Sequence, residues 1–255
     1  VTALVIQPGG RIHAAGTATS PITFTAVDVA LNSTEKGLWG GVVLLGRAPT
    51  SHAGRPTVEG IVASEFGGTD PNDSSGMLRY VRFWHTGHQI SQDVEPDGLL
   101  LAGVGRATII EHCEVAFGRD DAFSWFGGTA NVKHLSALFV GDDSFDVDMG
   151  YQGGGQFLFA MVGLDGDHGY EVDSRTNGNY DSQPRSHPVF YSATIIGDGA
   201  NGRSTELARL REGTGGKFGN SILEGNGAAS HSGDTTVGVR SMRCGSEART
   251  QEVYP

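Results

Sequence analysis

Two cysteines, Cys113 and Cys244, are all that 255 residues contain, which excludes a disulfide framework. Cys113 lies in an apolar, strand-like run and Cys244 in a polar stretch; a free, buried Cys113 is preferred over a single bridge between them. No apolar run approaches the roughly 20 residues that cross a bilayer, so no membrane span is expected. Lys and Arg number 18 against 29 Asp and Glu, a net charge of −11, and no basic run exists. A nucleic-acid binder needs a basic face to displace counterions, so no nucleic-acid partner is expected, and binding to an anionic membrane is disfavoured for the same reason. No Gly-x-Ser-x-Gly elbow, phosphate loop or dinucleotide fingerprint is present. The sequence starts at Val1 with neither an initiator Met nor a signal peptide, which reads as a processed product or fragment.

What is plentiful is glycine, 40 residues, about twice the average usage of ~7%. No long segment has helical periodicity. Short alternating runs occur instead, over 107–117, 130–139 and 156–161, which read as half-buried strands. The runs repeat. Asp120-Asp-Ala-Phe-Ser-Trp-Phe-Gly-Gly128 lies over Asp142-Asp-Ser-Phe-Asp-Val-Asp-Met-Gly150 at an offset of 22, and Asp167-His-Gly-Tyr-Glu-Val-Asp173 follows at an offset of 25. Weaker copies stand at 97–102 and 208–211. A repeat of this length with two or three short strands is one coil of a parallel β-helix, whose coils bury their apolar faces only by stacking. The expected fold is all-β, a single right-handed parallel β-helix over residues 1–225. Residues 226–255 are expected to form a loop and tail that packs on the helix or caps it.

Further along the chain, Trp39-Gly-Gly-Val-Val-Leu-Leu-Gly46, Phe66-Gly-Gly-Thr-Asp-Pro-Asn-Asp-Ser-Ser-Gly-Met-Leu-Arg-Tyr-Val81, Gly103-Val-Gly105, the Asp120–Gly128 run and Leu210-Arg-Glu-Gly-Thr-Gly-Gly216 occur in order. Together these resemble a broad family of secreted or surface-anchored bacterial proteins and lipoproteins with a right-handed β-helix of the pectate-lyase-like kind. The resemblance implies an extracellular or cell-surface location and an N-terminal cap, which is missing here because the chain starts inside that segment. The resemblance extends to pectate-lyase-like enzymes, which hold Ca²⁺ on strand carboxylates and use an Arg or Lys base for β-elimination.

The strongest chemical signal is an acidic stripe. If Phe123, Phe145 and Tyr170 point inward, Asp146 falls beside Glu171 and Asp148 beside Asp173 on the outer face. Stacked carboxylates need a counter-charge. Either Ca²⁺ supplies it, or Arg209 and Arg211 from the next coil do so in ladders Asp146–Glu171–Arg209 and Asp148–Asp173–Arg211. The same arginines are the only candidate lyase bases, with Asp146, Glu171 and Asp173 as partners. The corner residues Asp120, Asp121, Asp142 and Asp143, with Asp146, Asp148 and Asp167, form the candidate metal set for Ca²⁺, against an ordinary turn-capping role. Arg119 and Lys133 are expected nearby. His112 and His134 should form a plain imidazole stack. Trp84, His85 and His88, in a loop after 80–83, are candidate glycan contacts. Asn32 and Asn72 head sequons that matter only after eukaryotic secretion.

Two functions follow. One is a secreted or surface structural, glycan-associated module without catalysis, with polysaccharide or self-association as partner. The other is a Ca²⁺-dependent lyase or glycoside hydrolase on acidic polysaccharide. Fold alone does not choose between them.

Overall fold

A computed structural model describes residues 3–30, 32–92, 94–174, 176–198, 206–225 and the backbone of 239–241. Its strands run, in chain order, β1 (Leu4–Ile6), β2 (Ile12–Ala15), β3 (Ile22–Phe24), β4 (Val42–Leu45), β5 (Gly76–Trp84) and β6 (Leu99–Ala102). Then come β7 (Ile109–Ala116), β8 (Phe123–Phe126), β9 (Val132–Leu138), β10 (Phe145–Asp148), β11 (Gly154–Met161) and β12 (Tyr170–Val172). The last five are β13 (Val189–Ile196), β14 (Ala208–Leu210), β15 (Lys217–Gly219), β16 (Ile222–Glu224) and β17 (Val239–Ser241). No helix among the described residues is long and apolar enough to cross a membrane.

The chain alternates between two all-parallel sheets. The first holds β1-β4-β6-β8-β10-β12-β14-β17 in that order, and the second runs from β2 and β3 through β5, β7, β9, β11 and β13 to β15 and β16. Each coil thus contributes one short strand to the first sheet and one long strand to the second, the parallel β-helix expected from the repeat. Phe123 pairs with Phe145 and Phe145 with Tyr170, the offsets of 22 and 25 read from the sequence. Their rings stack inside at 5.9 and 5.6 Å. Trp125, Tyr151 and Phe190 complete a fully buried aromatic interior. Free Cys113 is buried in the same core, and burial pushes its thiol up to about 12. Cys244 lies outside the described residues, as do 226–238 and 242–255 of the expected tail; between these, β17 pairs in parallel with β14.

The long strands bend at one residue in the left-handed region: Tyr80, His112, His134, Phe157 and Ser192, all with φ between 50° and 62°. Pairing skips these positions, going from Arg79–Glu111 to Val81–Cys113. Such a φ is unfavourable for a side chain with Cβ. Here it repeats coil after coil, so the side chains leave the sheet together and stack. Tyr80–His112 and His112–His134 lie at 4.3 Å and His134–Phe157 at 4.7 Å, with planes within 17°. The imidazole stack expected from the sequence is part of this four-ring ladder. A second ladder, His85–Phe117–Phe139, turns the chain at the end of β5, β7 and β9 in the same way.

The outer face of the first sheet divides in two. On β4 and β6 the outward Val43, Leu45, Leu100 and Ala102 are covered by Val58 and Phe66 from the segment 46–75. On β10, β12 and β14 the corresponding face carries charge.

Candidate functional site

Two residues before each of β6, β8, β10, β12 and β14 stand Asp97, Asp121, Asp143, His168 and Glu206, a single row across five coils. The main chain turns at this corner, and the side chains tie one coil to the next. Asp121 Oδ1 accepts from the Asp143 N–H at 2.8 Å, and Asp143 Oδ1 from the His168 N–H at 2.7 Å. The corner aspartates thus accept backbone N–H groups of the next coil, rather than of their own turn. His168 is fully buried; its Nδ1 lies 2.7 Å from the same Asp143 oxygen, and its Nε2 lies 3.5 Å from Asp167 and 3.7 Å from Glu206. Burial opposes a charge on His168, but the hydrogen bond and the carboxylates of Asp143 and Asp167 outweigh it and raise its pKa.

Beside this row runs the stripe on the strands. Asp146 pairs in register with Glu171, and Glu171 with Arg209. Arg209 reaches Glu206 at 2.7 Å and Glu171 at 3.4 Å. Arg211 reaches Asp173 at 2.9 Å and Glu171 at 2.8 Å. Both arginine contacts expected from the sequence exist, and Glu171 bridges the two ladders.

Such crowding keeps protons on. Burial raises Asp97 to about 7, with the Ser124 hydrogen bond opposing and Asp142 adding; burial, with Asp97 and Asp142, raises Asp120 to about 8. Asp121 and Asp146 stand well above the usual carboxylate range through burial and then their acidic neighbours. Burial raises Glu171 to about 7, with Asp143 and Asp173 adding and Arg211 opposing.

Among the described residues, three clusters bring ligand atoms within 4.8 Å of one another: Asp97/Asp120/Asp121, Asp121/Asp142/Asp143 and Asp143/His168/Glu171. The first two offer only carboxylate oxygens, the hard donors that suit Ca²⁺. In the third, the His168–Asp143 hydrogen bond already engages the nitrogen. Of the metal set expected from sequence, Asp120, Asp121, Asp142 and Asp143 come together, and Asp146 feels Asp143 directly. Asp167 sits beside His168. Asp148 is elsewhere: it faces a cleft of about 360 Å³ with His52, Arg55, Thr176 and Asn177, where burial raises it to about 7. Lys133 is not near the corners at all; it stands on β9, in the other sheet.

The glycan candidates lie at and just after the end of β5. His85 is 3% exposed, holds the Glu35 carbonyl through Nδ1 at 2.6 Å and stacks on Phe117. His88 Nδ1 lies 2.9 Å from the Gly37 carbonyl. Trp84 donates to Glu114 at 2.8 Å and carries the Arg82 guanidinium 5.4 Å from its ring. Each of the three thus has one ring nitrogen engaged within the protein. Sequence reasoning missed Asp97, His168 and Glu206. The offsets of 22 and 25 lead from Asp121 through Asp143 to His168, and that signal was available. Glu206 lies beyond a segment that breaks the offset.

A family model described as a pectate-lyase like beta helix domain matches residues 1–248. No curated protein and no solved structure gives a significant match.

Proposed function

Because the chain belongs to the pectate-lyase-like β-helix family, we propose that it is a non-catalytic, glycan-associated module, exported to the cell surface or beyond, with Ca²⁺ at its aspartate corners. One observation carries the reading. Arg209 and Arg211, the only arginine or lysine side chains over the acidic stripe among the described residues, are both held in ion pairs, and His168 is fully buried against Asp143, so no solvent-facing, uncommitted base stands over the acids. The oxygen-only clusters around Asp121 would take Ca²⁺ as a clamp between coils, because its flexible coordination accepts carboxylates at varied angles.

The test is incubation with pectate and alginate, with Ca²⁺ and with chelator, reading both unsaturated uronide and new reducing ends. The expected result is neither product, with retention on a glycan affinity gel. Unsaturated product that disappears with chelator would replace this reading with a Ca²⁺-dependent lyase. Reducing ends without unsaturation would replace it with a glycoside hydrolase.

A further inference from the structure

The carboxylates crowd the first sheet, and the outer face of the second sheet is different. Two register rows run along it. One is Gly154–Val189–Lys217, with Asn131 hydrogen-bonded beside Gly154, and the other Glu111–Lys133–Gln156–Tyr191–Gly219. At Gly154 the side-chain wall is interrupted. A Cβ there would come within 3.0 Å of the Val189 carbonyl, so the backbone itself forms a floor. The result is a groove of about 470 Å³ lined by Asn131, Lys133, Gly154, Gln156, Val189 and Tyr191.

Its chemistry is mixed in a particular way. Tyr191 is 43% exposed, and its ring lies against Gly219, where a Cβ would meet Cε1 at 2.7 Å. One side of the ring is thereby covered by backbone, and its open surface lines the groove. Asn131 Oδ1 accepts from the Gly154 N–H at 3.0 Å, which fixes the amide and leaves its NH₂ without a partner among the described residues. Gln156 makes no side-chain hydrogen bond among the described residues. Lys133 and Lys217 are exposed and form no ion pair among the described residues. The one acid in these rows, Glu111, is taken by Arg79. Three strand steps separate the two lysines, about 14 Å along the axis.

An apolar wall with amides and ammonium groups at the rim fits a pyranose ring, which has an apolar C–H face and a polar edge. Two unpaired lysines in a protein of net charge −11 select the sign of the ligand. We propose that this groove is a binding subsite for an anionic sugar chain, a uronate or a sulfate ester. The ring packs on Tyr191 and the anionic groups meet Lys133 and Lys217. The inference rests on the glycan-associated reading above and assigns it a surface remote from the aspartate corners.

The test is calorimetric titration in excess chelator, which removes any Ca²⁺ bridging at the first sheet. The probes are oligogalacturonate, a sulfated galactan oligosaccharide and neutral dextran. The wild-type protein should bind at least one anionic probe, more weakly as salt rises, and dextran much less; the two anionic arms tell uronate from sulfate. Lys133→Gln with Lys217→Gln should weaken binding about tenfold or more, and Tyr191→Ala about tenfold, while Tyr191→Phe keeps most of it. Unchanged thermal melts check that these surface variants fold. Anionic binding that survives all these substitutions would overturn the subsite and leave the glycan-associated reading standing. Dextran bound as tightly as the anions would overturn the charge selection. Absence of binding to every probe, with and without Ca²⁺, would overturn both readings.

Discussion

Arg211 holds Asp173 through both carboxylate oxygens, 2.9 and 3.0 Å from its Nε, and reaches Glu171 with Nη2 at 2.8 Å. One guanidinium thus joins two rows of the stripe. Arg211→Gln leaves Glu171 and Asp173 side by side on one coil without it, and should destabilise the fold by about 1–3 kcal/mol in urea unfolding. Adding Asp173→Asn to that variant should recover part of the loss, because the repulsion is then removed. A double variant no better than the single would show that repulsion is not the cause.

The corner acids set a pH dependence. Asp97 and Asp120 stand at about 7 and about 8 when folded, against 3.8 for an unperturbed aspartate. The folded state therefore holds these protons more tightly than the unfolded chain. Their contribution is full below about pH 4 and is lost as pH rises through 7 to 8. In chelator the melting temperature should fall between pH 5 and pH 8, by about 2–4 °C for each kcal/mol lost. Millimolar Ca²⁺ should raise the melt most at the upper end and flatten the slope. Superimposable melts with and without Ca²⁺ at pH 8 would remove the metal from the account.

Phe145 sits at the centre of the interior stack, fully buried between Phe123 and Tyr170. Phe145→Ala opens a cavity that neighbouring coils cannot close without breaking register, and should cost about 3–5 kcal/mol. Denaturant titration measures it directly.

At the bend, His134 has φ 54° and lies between His112 and Phe157. Asparagine adopts this conformation readily and a β-branched residue does not. His134→Asn should cost under about 1 kcal/mol, and His134→Val about 1–2 kcal/mol more. Equal losses would mean that ring stacking, rather than backbone conformation, governs the position.

The interior was legible because Phe123, Phe145 and Tyr170 recur at the near-equal offsets of 22 and 25, and a solenoid repeats what it buries. The bends were not read, although each leaves a mark. Glu111-His112, Lys133-His134 and Gln156-Phe157 put two outward residues side by side where strict alternation allows one. Read as unbroken strands, these runs gave no sign that the outer surface folds into two faces. Lys133 was accordingly placed near the acidic corners, when it belongs to the opposite side. The arginine ladder was legible because Ala208-Arg-Leu-Arg211 repeats the in–out alternation of the strands it joins. Glu206 was lost because 38 residues separate Tyr170 from its partner Ala208, and a fixed offset cannot cross that interval. The groove at Gly154 depends on a side chain that is absent, and glycine in a strand reads as a weakness before it reads as space.

That uneven spacing has a practical consequence. Partners in the first sheet are 22 residues apart at Phe123–Phe145 and 57 apart at Val42–Leu99, yet pairing is equally regular. Register is set strand against strand, so the excursions between strands are free to change length. Gly54 and Gly178 stand in such excursions, and a Cβ at either would meet nothing within 4 Å. They are natural grafting points: a peptide epitope or a small folded domain inserted there would be displayed beside the acidic sheet without asking the scaffold to rearrange.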